Sequence, residues 1–135
     1  MDRLLDIGVE PYLVAGAVKG IISQRLVRRI CPNCRKSYTP SEEECELMGL
    51  TPLKELKFYK GEGCGDCFGT GYRGRVGIFE ILEMNPAIRR AIHSRSLKEL
   101  ETAMAGVDFR PIMENCRQLV LDDVTSAEEV HRVLG

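Results

Sequence analysis

Apolar residues recur at three- and four-residue steps along the early chain, at Leu13, Val14, Ala17, Val18, Ile21, Ile22, Leu26 and Ile30. That is the period of a helix, and Pro11 just ahead suits a first helical turn, where a missing N–H leaves nothing unpaired. The pattern predicts one long amphipathic helix from Pro11 to about Arg29, the backbone of the core. Gly8 reads as the C-cap of a shorter helix through Leu4, Leu5 and Ile7. The chain is therefore expected to start inside or just ahead of an element, as a piece cut from something larger.

From Cys31 to Gly74 the periodicity breaks into short pieces between prolines and glycines: "CPNC", "TPSEEECELMGL", "LKFYKGEGCGDC". Such a texture predicts a small lobe poor in regular structure. Ser41 with Glu44 forms a capping box for a short acidic helix ending near Gly49, and Leu56 to Tyr59 reads as a short strand. "RVGIFEILEM" alternates well enough for a strand, with a break at Phe79. After Met84 the pattern turns helical again. "NPAIRRAIH" is one helix, a second starts from the Ser96/Glu99 box, Arg110 to Asp122 is a third, and Thr125/Glu128 starts a fourth. The fold class expected is α+β and mainly helical: a helical bundle packed on the first long helix, with an inserted tetracysteine lobe containing short strands. The domain reading is a helical part at 1–30, the lobe at 31–74, and a strand followed by helices at 75–135.

Composition narrows the function more than the fold. The 135 residues carry 29% charged and 44% hydrophobic residues, no Trp, and a formal net charge of −1. No apolar run approaches the roughly 20 residues of a membrane-crossing helix. The N-terminal "MDRLLDIGVEP" has no apolar signal region, so the cysteines are expected in a reducing compartment. Lys and Arg are spread along the chain, without the basic stripe or interleaved aromatics of a nucleic-acid binder.

The strongest chemical signal is a pair of Cys-x-x-Cys turns, Cys31/Cys34 and Cys64/Cys67, whose 29-residue separation lets the intervening chain fold out and return. Such turns bring two thiolates to one ion, and four sulfurs fill the coordination of Zn²⁺. A closed all-sulfur set leaves no position for water. The reading is a structural zinc site with no catalytic residue. Four thiolates and one Zn²⁺ would change the formal charge by −4 + 2, from −1 to −3. Arg28, Arg29, Arg35 and Lys36 flank the site, where they either favour thiolate by their charge or form a solvated basic surface at a helix C-terminus. Two redox pairs would want a thioredoxin-like βαβ context, which is missing. Cys45 and Cys116 read as small core or boundary residues, and His93 and His131 as isolated helical positions rather than ligands.

Three strings, "RLLDIGVEPYLVAGAVKGIISQRLVRRICPNCRK", "GEGCGDCFGTGYRGRVGIFEILEMN" and "VTSAEEVHRVL", give the chain its resemblance to the C-terminal part of the type II secretion and type IV pilus assembly ATPases, the GspE/PulE/PilB group. The resemblance implies a cytoplasmic hexameric ring, peripheral to the bacterial inner membrane, in contact with neighbouring subunits and with platform or assembly proteins. It places residues 1–30 in the C-terminal ATPase domain. It also implies ATP and Mg²⁺ in the full-length parent, bound upstream. The chain has no Gly-x-x-x-x-Gly-Lys-Ser/Thr phosphate loop, so hydrolysis by this piece alone is not expected. Arg25, Arg28 and Arg29 could approach a nucleotide or a subunit boundary. A second reading is an unfolded-protein-binding zinc module like that of DnaJ, since "CGDCFGTG" fits Cys-x-x-Cys-x-Gly-x-Gly. The first pair continues "RKSY" without a glycine, one copy where such modules carry several.

Overall fold

Pro11 does open a helix, but the helix is short. The computed structural model describes residues 2–52 and 55–135. Helices α1 (Asp2–Asp6) and α2 (Pro11–Ala17) come first, with Pro11 in the first turn of α2 and Val18 extended after its end. The chain then enters strand β1 (Gly20–Ile30). This corrects the long helix expected from Pro11 to Arg29. The three- and four-residue spacing was shared by two elements. Within 20–30 the β-branched Ile21, Ile22, Val27 and Ile30 suit a pleated ribbon, and the partner strand β4 (Tyr72–Glu83) supplies the hydrogen bonds.

Strands β2 (Arg35–Tyr38) and β3 (Phe58–Gly61) form a second sheet, antiparallel, with Arg35 opposite Gly61 and Tyr38 opposite Phe58. Between them lies α3 (Glu42–Leu47), on the expected capping box: the Glu44 N–H donates to Ser41 Oγ at 3.2 Å, and the Ser41 N–H to Glu44 Oε2 at 2.9 Å. Helices α4 (Pro86–Ser94), α5 (Leu97–Ala105), α6 (Ile112–Leu121) and α7 (Ala127–Leu134) complete the described chain. The class is α+β, as expected.

The chain divides into two compact units, and β1 and β4 contribute residues to both. One unit takes the chain up to Ser23 with Glu80–Arg110. Its core is Val14 and Ala15 of α2 against Ile88 and Ile92 of α4, joined by Leu82 and Leu100. Asn85 caps α4 by accepting the Ile88 N–H at 2.8 Å, and the Arg89 guanidinium donates to the Ala15 carbonyl. The Lys19 carbonyl accepts the Met84 N–H at 3.1 Å.

The other unit is Gln24–Phe79 with Pro111–Gly135. Its core is Val27, Met48, Phe58, Ile78, Cys116, Val120, Ala127 and Val130. Full burial of a Phe, Met or Ile side chain is worth about 1.5–3 kcal/mol each. Cys45 and Cys116 are fully buried, as their sequence positions suggested. The C-terminal helices thus serve two cores rather than one bundle on a single long helix.

A buried carboxylate fastens α7 to β1. Glu129 is fully buried, yet it receives the Arg28 N–H and Arg28 Nε–H at 2.8 Å each, and Arg132 Nε–H and Nη2–H at 2.8 and 2.6 Å. Burial favours the neutral acid, but the donors of Arg132 and Arg28 outweigh it and hold the carboxyl down at about 2. The cap of α7 sits one residue later than the expected Thr125/Glu128 box. Ser126 Oγ accepts the Glu129 N–H at 3.2 Å and lies 2.6 Å from the Tyr72 hydroxyl. Thr125 instead donates its hydroxyl to the Arg28 carbonyl at 2.8 Å.

Candidate metal centre

The β2–β3 hairpin brings the two cysteine pairs together. Its register continues past Arg35 and Gly61, so the Glu62 N–H donates to the Cys34 carbonyl at 3.1 Å. The Cys31 N–H donates to the Gly71 carbonyl at 2.9 Å and closes the loop from the other side. The second knuckle is a one-turn helix, Gly65–Cys67, followed by Phe68 in the left-handed region. Glycine is required where backbones cross: a Cβ on Gly61 would sit 1.9 Å from the Gly71 carbonyl oxygen, and one on Gly71 2.5 Å from that of Gly61.

All four predicted ligands converge. The sulfurs of Cys31, Cys34, Cys64 and Cys67 lie within 4.8 Å of one another. Cys31–Cys64 and Cys34–Cys67 are 3.8 Å apart, and Cys64–Cys67 3.7 Å. A tetrahedron of sulfurs around an ion at about 2.3 Å has edges of about 3.8 Å, so the cluster has the size of a filled metal site. A disulfide would need about 2.05 Å, and all four are free thiols. Four cysteines in this arrangement could hold one metal ion.

N–H donors surround the sulfurs. The amides of Cys64 and Gly71 point at Cys67 Sγ at 3.2 Å each, that of Gly63 at Cys34 Sγ at 3.3 Å, and the Asn33 side-chain amide at Cys64 Sγ at 3.4 Å. Burial opposes the Cys67 thiolate, but the amides of Cys64 and Gly71 override it and bring the thiol down to about 6. The Asn33 amide is the main cause lowering Cys64. Burial pushes Cys34 up to about 12 despite the Gly63 amide. Four sulfurs this close cannot all ionise without a cation between them.

The expected role of the flanking cations is corrected in part. Arg28 turns to Glu129 and lies 4.1 Å from the Tyr72 ring centroid, while Lys36 pairs with Glu62 at 2.8 Å. The donors at the sulfurs are amides. Asn33 and Thr70 are the contributors that spacing alone did not single out; Thr70 Oγ1 donates to the Cys67 carbonyl at 2.7 Å and steadies the knuckle. The signal for Asn33 was present in "CPNC", a side-chain donor inside the first turn. Arg25 and Arg29 are exposed, as are His93 and His131, which lie outside the cysteine cluster. No helix among the described residues is long and apolar enough to cross a membrane.

Similar segments occur within longer proteins. The "Type II secretion system protein E" of Pseudomonas aeruginosa is 40% identical over 133 residues, covering 98% of this chain and 26% of the relative. The "Type II secretion system ATPase E" of Vibrio cholerae is 35% identical with the same coverage, and the "Type IV pilus assembly ATPase PilB" of Thermus thermophilus is 37% identical over 96% of this chain and 15% of its own. The chain thus spans about a quarter or less of the length of these relatives. The sequence pattern of the Type II/IV secretion system protein family matches residues 1–132, and the chain belongs to that family.

Proposed function

We propose that this chain is the C-terminal part of an ATPase that drives type II secretion or type IV pilus assembly, and that its four cysteines hold one structural Zn²⁺. The observation that carries the zinc assignment is the set of 3.7–3.8 Å sulfur edges under inward-pointing amides. With every coordination position taken by sulfur, the ion braces the lobe and supplies no reactive water. Structural zinc is worth on the order of 10–16 kcal/mol, comparable to the whole stability of a domain at roughly 5–15 kcal/mol. ATP hydrolysis belongs to the rest of the polypeptide, since no phosphate loop occurs in these 135 residues. The braced lobe serves as a contact surface toward a neighbouring ring subunit or a platform protein at the cytoplasmic face of the inner membrane.

Metal analysis of the purified protein tests the zinc. One zinc per chain is expected, lost together with structure in Cys31→Ser or Cys67→Ser. A metal-free, fully folded chain rejects the assignment. For the contact surface, charge reversal at Arg35, Lys36 and Arg73 is expected to weaken assembly or partner binding; if both are untouched, the surface has been misplaced.

A further inference from the structure

We propose that a cleft beside the cysteine knuckles receives helix α3 of a second copy of this chain, in a head-to-tail contact; the proposal rests on the contact-surface reading and gives it a partner. The cleft has a volume of about 430 Å³ and is lined by Arg29, Arg35 and Arg73, with Asp122 and Asp123. All three arginines are exposed. Their situation differs from that of Arg28 and Arg132, which are committed to Glu129. Among the described residues, no carboxylate pairs with Arg29, Arg35 or Arg73, although two aspartates share the cleft with them. Asp122 takes the Gln118 side-chain amide at 2.9 Å, and Arg35 lies 5.4 Å from the Tyr59 ring centroid. Three guanidinium forks in one concavity ask for carboxylates, which they bind two-pronged. The aspartates disfavour a polyphosphate or a nucleic-acid backbone, and they call for an occupant that brings a cation beside its acids.

Helix α3 has that composition. Glu42, Glu43 and Glu46 are exposed and pair with no cation among the described residues. Glu42 and Glu46 stand four apart and so share a helix face, with Glu43 beside Glu46 at three apart. Glu44 is the exception, spent on the Ser41 cap and on the Tyr38 hydroxyl at 2.5 Å. The cation is Lys57, whose Nζ donates to Thr39 Oγ1 at 2.7 Å, two residues before the cap. Three acids thus face outward on a capped helix, with Lys57 off the helix but tied to Thr39 just ahead of its cap. No α3 residue lines the cleft in its own chain. Cleft and helix are therefore different patches, and a contact between them repeats from copy to copy into a ring or a filament instead of closing on two. Attraction between exposed charges falls with salt, so the contact is salt-sensitive.

Sedimentation of the intact protein at low and high salt tests this with two triple variants, Arg29→Glu/Arg35→Glu/Arg73→Glu and Glu42→Lys/Glu43→Lys/Glu46→Lys. Zinc content is measured in each to show that the lobe is folded. Each variant alone is expected to self-associate about tenfold or more weakly than the parent at low salt. An equimolar mixture of the two is expected to recover association, because in an alternating assembly reversed cleft meets reversed helix at one contact and parent cleft meets parent helix at the next, opposite charges facing at both. Either variant associating as tightly as the parent overturns the proposal, and so does a mixture that fails to recover. If the variants keep self-association but lose binding to membrane components of the machine, the α3 contact is wrong and the contact-surface reading stands. If neither property changes, both fall.

Discussion

Phe68 is a large apolar side chain that is 93% exposed, on a residue held at φ 53. An L-residue pays about 1–2 kcal/mol for the left-handed region, and asparagine pays less. Phe68→Asn is therefore expected to stabilise the metal-loaded protein by about 1 kcal/mol, read as a higher urea midpoint. A lower midpoint would mean that the ring is buried against something. Glu129 gives a prediction of the opposite kind. Its carboxyl is held at about 2, below its ordinary 4.5, so its contribution is fully present above 4.5 and drains away as pH falls toward 2. The stability gap between the protein and Glu129→Gln should shrink over that interval; comparing the two cancels the acid loss of metal common to both. Glu129→Ala should cost about 1–3 kcal/mol, since it removes four charge-assisted hydrogen bonds and leaves the Arg28 N–H without its acceptor, while both guanidinium groups stay partly open to water. The cysteine cluster was legible because Cys-x-x-Cys is a local signal. The Arg28–Glu129 pair was not, since its partners lie 101 residues apart with only ordinary charged neighbours to announce them.

Elements marked by short-range chemistry were legible too. The Ser41 box, Asn85 ahead of Pro86, and Ser96 ahead of α5 each place a side-chain oxygen where a helix starts with bare N–H groups. Ser41→Ala is expected to cost about 1 kcal/mol, and an unchanged melting temperature would count against the cap. Strand β1 was not legible. Ile22 and Leu26 are 66% and 50% exposed, so the apolar residues that mimicked a helix face are not the ones its core selects. Its β-branched residues and the Lys19-Gly20 step carried the competing signal. Thr125 and Ser126 are both good caps, and only the Tyr72 and Arg28 contacts decide between them. The crossing at Gly61 and Gly71 belongs to this scale as well. Gly61→Ala is expected to abolish metal retention, because a methyl 1.9 Å from a carbonyl oxygen cannot be relieved by a rotamer change.

For the molecule as a whole, separate cores mean separate responses. The four cysteines belong to the unit of Val27, Phe58 and Val130, and the other unit has its own core of Val14 and Ile88. Chelation is expected to release amide protection in β2, β3 and the knuckles while α2 and α4 keep theirs, in hydrogen exchange read peptide by peptide. Equal loss in both units would show that the metal holds the entire chain. The division was illegible in the sequence, because each unit is assembled from two segments and periodicity reports only on neighbours.

The tie between Arg28 and Glu129 also has a temporal side. Arg28 leaves the ribosome 101 residues ahead of the carboxylate it needs. The guanidinium of Arg28 therefore emerges well before its counter-charge, and the tie between β1 and α7 can form only after residue 129 has been made. A product that stops just before Glu129 would keep all four cysteines and both hairpin strands, yet is expected to fold poorly and to be readily cleaved by proteases.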